Sequence, residues 1–376
     1  LGLGRSRSEL QILESFADSN NLFLVLRDGQ CIITKSDETL ETVARGRQFS
    51  LGIPASEVFG VSHATSDSSD DLAAILSATK LVVRNMKQGL DKCSAALPAS
   101  GLKIQRVADL LFVLLTNSQL IAFQYDEQET DLIEVDLSDN NFQNIADIVV
   151  RESRVFMISG SGVLEVYQMA DNGFELITKV ALNDLPDPCM SLVPAEASVK
   201  VTSLGVFEHN NTLFICVYFD DQGVWVYKHF KGTFLQCLAI PFERRPGSGL
   251  VKDPRRASAR LSLVTGPLNT VFLWVGGESQ VVEIFEAGEC GVYSHRMLTF
   301  ANITSMTRQG DRVVVSNGKE TFPVEPLSSR GPEINFETKT LDVKQLIFLD
   351  SVLMKYLLCV LLQDEGGARP VIEIYN

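Results

Sequence analysis

A hairpin that returns at a near-regular spacing constrains this chain more than any other feature. Asn211–Phe230 reads NTLFICVYFDDQGVWVYKHF: a β-branched and aromatic run from Leu213 to Phe219, a polar turn of Asp220, Asp221, Gln222 and Gly223, then a second run from Val224 to Tyr227. The same grammar recurs at Leu111–Tyr125, Val155–Tyr167, Val271–Phe285 and Tyr356–Tyr375. Strand starts at Leu111, Val155, Leu213, Val271, Val313 and Tyr356 are 44, 58, 58, 42 and 43 residues apart. Such spacing matches β-propeller blades of about 40–50 residues, two of them carrying insertions. Leu22–Thr34 and Leu72–Asn85 extend the series upstream. The 376 residues therefore read as an all-β chain. A disordered or vector-derived tail at residues 1–9 precedes a single propeller domain over 10–376, with seven or eight four-stranded blades.

Ring closure is expected through exchange of terminal strands. The final repeat shows an inner strand (Gln345–Leu349), then Tyr356–Leu362 and Val371–Tyr375, and stops. Leu10–Phe16 alternates like a strand and stands before the first hairpin, which makes it the donor of the missing outer strand. The clearest blade runs from Leu102 to Leu137, and the next, from Ile145 to Leu182, turns tightly at Ser159-Gly160-Ser161-Gly162. Asn183–Ser198, with three prolines, reads as an insertion. Glu243–Arg260 (ERRPGSGLVKDPRRASAR) interrupts the strand pattern with Pro246, Gly247, Gly249 and Pro254 and reads as a long rim loop.

Hydrophobic residues make up 45% of the chain, enough for a substantial core, and the net charge is −14. That acidity opposes general binding to nucleic-acid phosphates or anionic lipid, although a local basic patch escapes the argument. Cys31, Cys93, Cys189, Cys216, Cys237, Cys290 and Cys359 show no C-x-x-C spacing, and most fall in apolar strands. An odd count without a framework points to a reducing compartment. Neither a signal peptide nor a long apolar stretch appears, so no membrane span is expected.

Catalytic signatures are sparse. His63, His209, His229 and His295 lack metal-ligand spacing, and there is no G-x-S-x-G elbow, P-loop or dinucleotide turn. Paired carboxylates such as Asp70-Asp71, Asp220-Asp221 and Asp364-Glu365 sit at turn tips, away from a central channel. No cofactor or metal is expected. Sequons at Asn210 and Asn302 are of the kind that chance supplies.

The unusual charge lies in the rim loop. Arg244, Arg245, Lys252, Arg255, Arg256 and Arg260 are opposed only by Glu243 and Asp253. A solvated insertion accounts for such a run. A docking loop for an acidic segment of another protein does so as well, and Arg255-Arg256-Ala257-Ser258 resembles a basophilic-kinase site.

Over nearly its whole length the pattern of repeated strands resembles the WD-repeat-like β-propeller superfamily. The Gly-His and Trp-Asp dipeptides of that superfamily are absent, and Trp225 and Trp274 sit inside strands instead. Divergent propellers of this kind occur as N-terminal domains of nucleoporins, vesicle tethers and citron-homology proteins, and Lys103–Phe123 is similar to the citron-homology type. The resemblance implies a non-catalytic protein–protein interaction scaffold inside the cell, in the cytoplasm or at the nuclear envelope. The rival expectation is a propeller hydrolase or lactonase, with acids converging at one mouth of the channel. A third, phosphoinositide binding by the basic loop, lacks the paired basic motif that membrane-binding propellers carry within a blade.

Overall fold

The computed structural model describes residues 11–375 except 19–20, 36–46, 66–70, 138–141, 143, 171–172, 183–199, 220–222, 231, 242–259, 267–269, 277–280, 289–290, 300–302, 310–311, 318, 325–345, 355–356 and 365–369. Its strands form small antiparallel sheets in which sequence neighbours pair. The local rule is visible in burial. In the second strand of the third sheet, Leu110–Leu115, the five residues from Leu111 are buried without alternation, whereas the outer strand Leu90–Ala96 of the second is mostly exposed. A strand buried on both faces must be covered from both sides, and a blade packed face to face between two others supplies that cover.

The inner strands of successive blades are Ile12–Asp18, Val58–His63, Gly101–Val107, Ile145–Arg151, Val201–His209, Arg260–Thr265 and Ser305–Gln309. Each contacts the next, and the seventh contacts the first. The ring has seven blades. Blades 1 to 6 have four strands each, and three strands of blade 7 lie among the described residues. The eighth hairpin expected from sequence exists as a separate three-stranded sheet, Leu346–Met354, Leu357–Asp364 and Pro370–Tyr375, but the ring closes without it.

Terminal strand exchange is the expectation that the structure corrects. The segment expected as donor pairs with its own neighbour, Asn21–Leu26, in the register Ser15↔Leu24 and Asp18↔Asn21. So short a connection after Asp18 makes local pairing cheap in chain entropy, while capture by a strand over 300 residues away is not. The segment still closes the ring, as the inner strand of blade 1. Ile12 carbonyl oxygen accepts hydrogen bonds from Thr304 Oγ1 (3.2 Å) and Ser316 Oγ (2.9 Å) of blade 7.

The core is a set of clusters between blades. Phe207, Phe214, Val271, Leu273 and Phe285 fill the seam between blades 5 and 6. Phe23, Val25, Val61 and Ile75 fill that between blades 1 and 2. Each fully buried side chain of this size contributes about 1.5–3 kcal/mol. Inner strands approach closely where glycine allows it: a Cβ at Gly205 would lie 2.9 Å from Leu261 of the next blade. The outer strands of blades 2, 4, 5 and 6 each carry a register shift, which bends these open edges away from pairing with another chain. Hairpin turns follow the sequence chemistry: Asn210 and Asn211 adopt φ of 46° and 58°, and Gly162 in the Ser-Gly-Ser-Gly turn 85°.

Candidate functional site: the central channel

The seven inner strands enclose a channel of about 640 Å3, lined among others by Glu14, Asp18, Lys103, Arg106, Asp147 and Ser203. Polar residues that interrupt the apolar alternation of inner strands supply its chemistry. Two buried carboxylates organise it.

Asp18 ends the inner strand of blade 1. Its Oδ2 accepts from Ser62 Oγ (2.8 Å) and the His63 backbone N–H (2.9 Å) of blade 2, and from Arg106 Nε (3.0 Å) of blade 3. The Asp18 and Arg106 side chains are 3% and 10% exposed, so the pair is desolvated. Arg106 also donates to the Ala108 carbonyl at 3.0 Å. One carboxylate thus ties three blades together.

Asp147 lies near the start of the inner strand of blade 4. Oδ1 accepts from Lys103 Nζ of blade 3 (2.7 Å) and from the Ile148 N–H (2.7 Å). Oδ2 accepts from Ser203 Oγ and the Leu204 N–H of blade 5, both at 2.8 Å. Ser203 Oγ in turn accepts from the Leu261 N–H of blade 6 at 2.9 Å. A further bridge runs from the Val150 N–H to Gln105 Oε1 (3.2 Å).

Inner strands of an all-antiparallel four-stranded propeller run in one direction around the ring, so a strand end and a strand start face opposite mouths. Asp18 and Asp147 therefore do not converge, and each is occupied as an acceptor of donors from neighbouring blades. Among the described residues no group of three or more His, Cys, Asp or Glu side chains is placed to hold a metal ion. Burial pushes the thiols of Cys31 and Cys216 well up, and that of Cys93, helped by Asp131, to about 11. None of the three is a thiolate nucleophile at neutral pH. Cys31, Cys93 and Cys216 are free thiols.

The sequence pointed elsewhere. Arg244, Arg245, Lys252, Arg255, Arg256 and Ser258 lie outside the described residues. Arg260 is not part of the loop: it opens the inner strand of blade 6, opposite Gly276, because the alternating run that follows it pairs with the strand containing Trp274. The channel residues left a weak trace, isolated Asp, Lys, Arg or Ser positions among the apolar residues of strands such as Ile12–Asp18 and Gly101–Val107. Their partners are 44 to 88 residues away, beyond the reach of any local motif.

No family model matches the chain, and no curated protein matches it. Solved structures do. A Cps50 (Swd1) β-propeller domain from Myceliophteria thermophila aligns with a TM-score of 0.53 at 12% identity, covering 86% of this chain and 99% of that one. The fold is that of a seven-bladed β-propeller. A chain from the Mitotic Checkpoint Complex gives 0.53 at 9% identity, over 84% of this chain and 89% of the other. One from an S. cerevisiae structure of Dbp5 bound to Nup159, Gle1, IP6 and ADP gives 0.51 at 12%, over 85% and 90%. At these identities the likeness is one of fold.

Proposed function

We propose that this propeller is a non-catalytic platform for protein–protein interaction, a subunit or N-terminal domain of a larger intracellular assembly. The observation that carries the reading is the state of the channel. Asp18 and Asp147, the buried channel acids whose bonding is laid out above, are each spent on joining blades, so their hydrogen-bonding capacity serves rigidity. A rigid ring with edges protected by bulges suits a surface that presents loops. Fold analogy adds support, since two of the similar structures were solved within assemblies of several proteins. Among the described residues no helix is long and apolar enough to cross a membrane.

The partner-binding element in this reading is the segment 243–260 up to the strand that Arg260 opens, with Arg244, Arg245, Lys252, Arg255 and Arg256 concentrated in a chain whose net charge is −14. An acidic segment of another protein is its natural partner, and association slows as salt rises. Phosphate on Ser258 would add about −1.5 to −2 charges beside Arg255 and Arg256, satisfy them internally and weaken the partner's hold. Cytoplasm or nuclear envelope is the location this reading assigns. The test replaces Arg244, Arg245, Arg255 and Arg256 by alanine and compares partners recovered from cell extract. Selective loss of partners at an unchanged melting temperature is expected; an identical set of partners would rule the loop out as the docking element.

A further inference from the structure

The Asp18 junction contains a group that its counterpart at Asp147 lacks. In both, the carboxylate takes a serine hydroxyl and the N–H of the residue after that serine. At Asp147 the second residue is Leu204, 1% exposed; at Asp18 it is His63, 5% exposed. Neither ring nitrogen of His63 has a hydrogen-bond partner. The ring stands edge-on to Phe23 of blade 1, with centroids 5.0 Å apart. The imidazole is therefore held in the blade 1–blade 2 seam as an apolar filler, although it can bind a proton.

Charged groups reach it from three elements. Asp18 on the inner strand of blade 1 favours the proton; Arg106 on the inner strand of blade 3 and Arg47 on the outer strand of blade 1 oppose it. Arg47 is itself paired with Asp71, at 3.1 Å. Phe23 on the second strand of blade 1 brings no charge, nor does the rest of His63's own strand, Val58–His63. Burial is the largest influence and also disfavours the charged form, so the ring is neutral in the folded protein near neutral pH. An imidazolium here would carry two N–H donors into a seam where Asp18 Oδ2 already receives three.

We propose that His63 makes the blade 1–blade 2 seam acid-sensitive: protonation draws Asp18 away from Ser62, the His63 N–H and Arg106, and the end of the first inner strand separates from blade 2. The sign follows from linkage. Because the folded protein disfavours the proton, the seam is fully stable above the ordinary histidine value of about 6.5 and weakens progressively below it, by up to tenfold in its opening equilibrium per pH unit. The fold supplies its own control at Leu204, which occupies the same position without a titratable group.

Hydrogen exchange of the whole chain, corrected for the intrinsic pH dependence of exchange, tests the proposal between about pH 7.5 and 5.5. Segments 12–26 and 58–63 are expected to open on the order of tenfold more at the lower pH, while 145–151 and 201–209 keep their protection. His63→Leu should abolish the difference. Equal acceleration at both junctions, or a seam that remains acid-sensitive in His63→Leu, overturns the proposal. Should that variant fail to fold, the imidazole proton resonances of the wild type decide. Titration well below the ordinary histidine value, in step with the local opening, is expected; an ordinary value overturns the proposal.

Discussion

The Asp18 and Asp147 junctions are built to one plan and differ in how much each depends on its base. Asp147 uses both oxygens and four donors, three of them uncharged, and its lysine partner is 22% exposed. Asp18 collects a serine, a backbone N–H and Arg106 on one oxygen, with both charged side chains at or below 10% exposure. The arginine of the first junction has traded water for one carboxylate and one carbonyl, whereas the lysine of the second keeps a route to the channel. Similar distances therefore conceal different vulnerabilities. A desolvated charge is costly to orphan, and a half-wet one is not.

The largest effect expected from breaking this contrast comes from deleting residues 1–17. The deletion removes the inner strand of blade 1 almost entirely, with its pairing to Asn21–Leu26 and the two hydroxyl bonds that close the ring. It exposes Leu22, Leu24 and Ile32, each worth about 1.5–3 kcal/mol of burial. Aggregation or loss of cooperative melting is expected, read by size-exclusion elution and calorimetry. Monomeric elution with the wild-type melting temperature would mean that blade 7 does not depend on this strand.

Asp18→Ala comes next. It strands Arg106 in a seam with little water, and removal of one partner of a buried pair costs about 3–5 kcal/mol. Asp147→Ala should cost about 1–3 kcal/mol, the price of a few unsatisfied donors, since Lys103 can turn into the channel. Denaturant midpoints compare the two. If Asp147→Ala proves the more destructive, exposure of the base is not what separates the junctions.

The serines sharpen the comparison further. Ser203 both donates to Asp147 and accepts from the Leu261 N–H, so Ser203→Ala breaks two inter-blade bonds and leaves a part-buried backbone donor without its acceptor. Ser62 makes one inter-blade bond, to Asp18. Losses of about 1–3 and about 0.5–1.5 kcal/mol are expected, respectively. Equal losses would show that the relay into blade 6 contributes nothing.

How much of this was legible beforehand depends on sequence distance. The hairpins were readable because their signals are local: Val155–Tyr167 announces itself by two apolar runs and a tight turn, Leu72–Asn85 does so more weakly, and both pair as expected. The role of Leu10–Phe16 was misread because a strand's alternation says that it pairs but not with what. Blade number stayed open for the same reason: the eighth hairpin, Leu357–Asp364 with Pro370–Tyr375, has the local grammar of a blade, and only contact between Ile12–Asp18 and Ser305–Gln309 shows that seven complete the circle. Asp18 and Asp147 were invisible as a pair of junctions, since a lone acid in a strand becomes meaningful only when Ser62 and Ser203 are brought beside it. The basic run at 243–260 was the reverse case, conspicuous in composition and, apart from Arg260, outside the described residues.

The smallest effect is expected where the two junctions differ most, at their bases. Lys103→Met removes the charged donor of Asp147 and keeps most of the stem that lines the channel. Asp147 then retains Ile148 N–H on one oxygen and Ser203 and Leu204 on the other, and the channel admits water to the vacated side. An ion pair with a lysine that already reaches solvent is worth about 0–1 kcal/mol, and raised salt should shrink the difference from wild type. Arg106→Met leaves Asp18 with the Ser62 and His63 donors in a drier place, so it should cost more than Lys103→Met and respond less to salt. Melting curves of both variants at low and high ionic strength measure the gap. A Lys103→Met loss as large as that of Arg106→Met, insensitive to salt, would mean that the second junction is as desolvated in solution as the first.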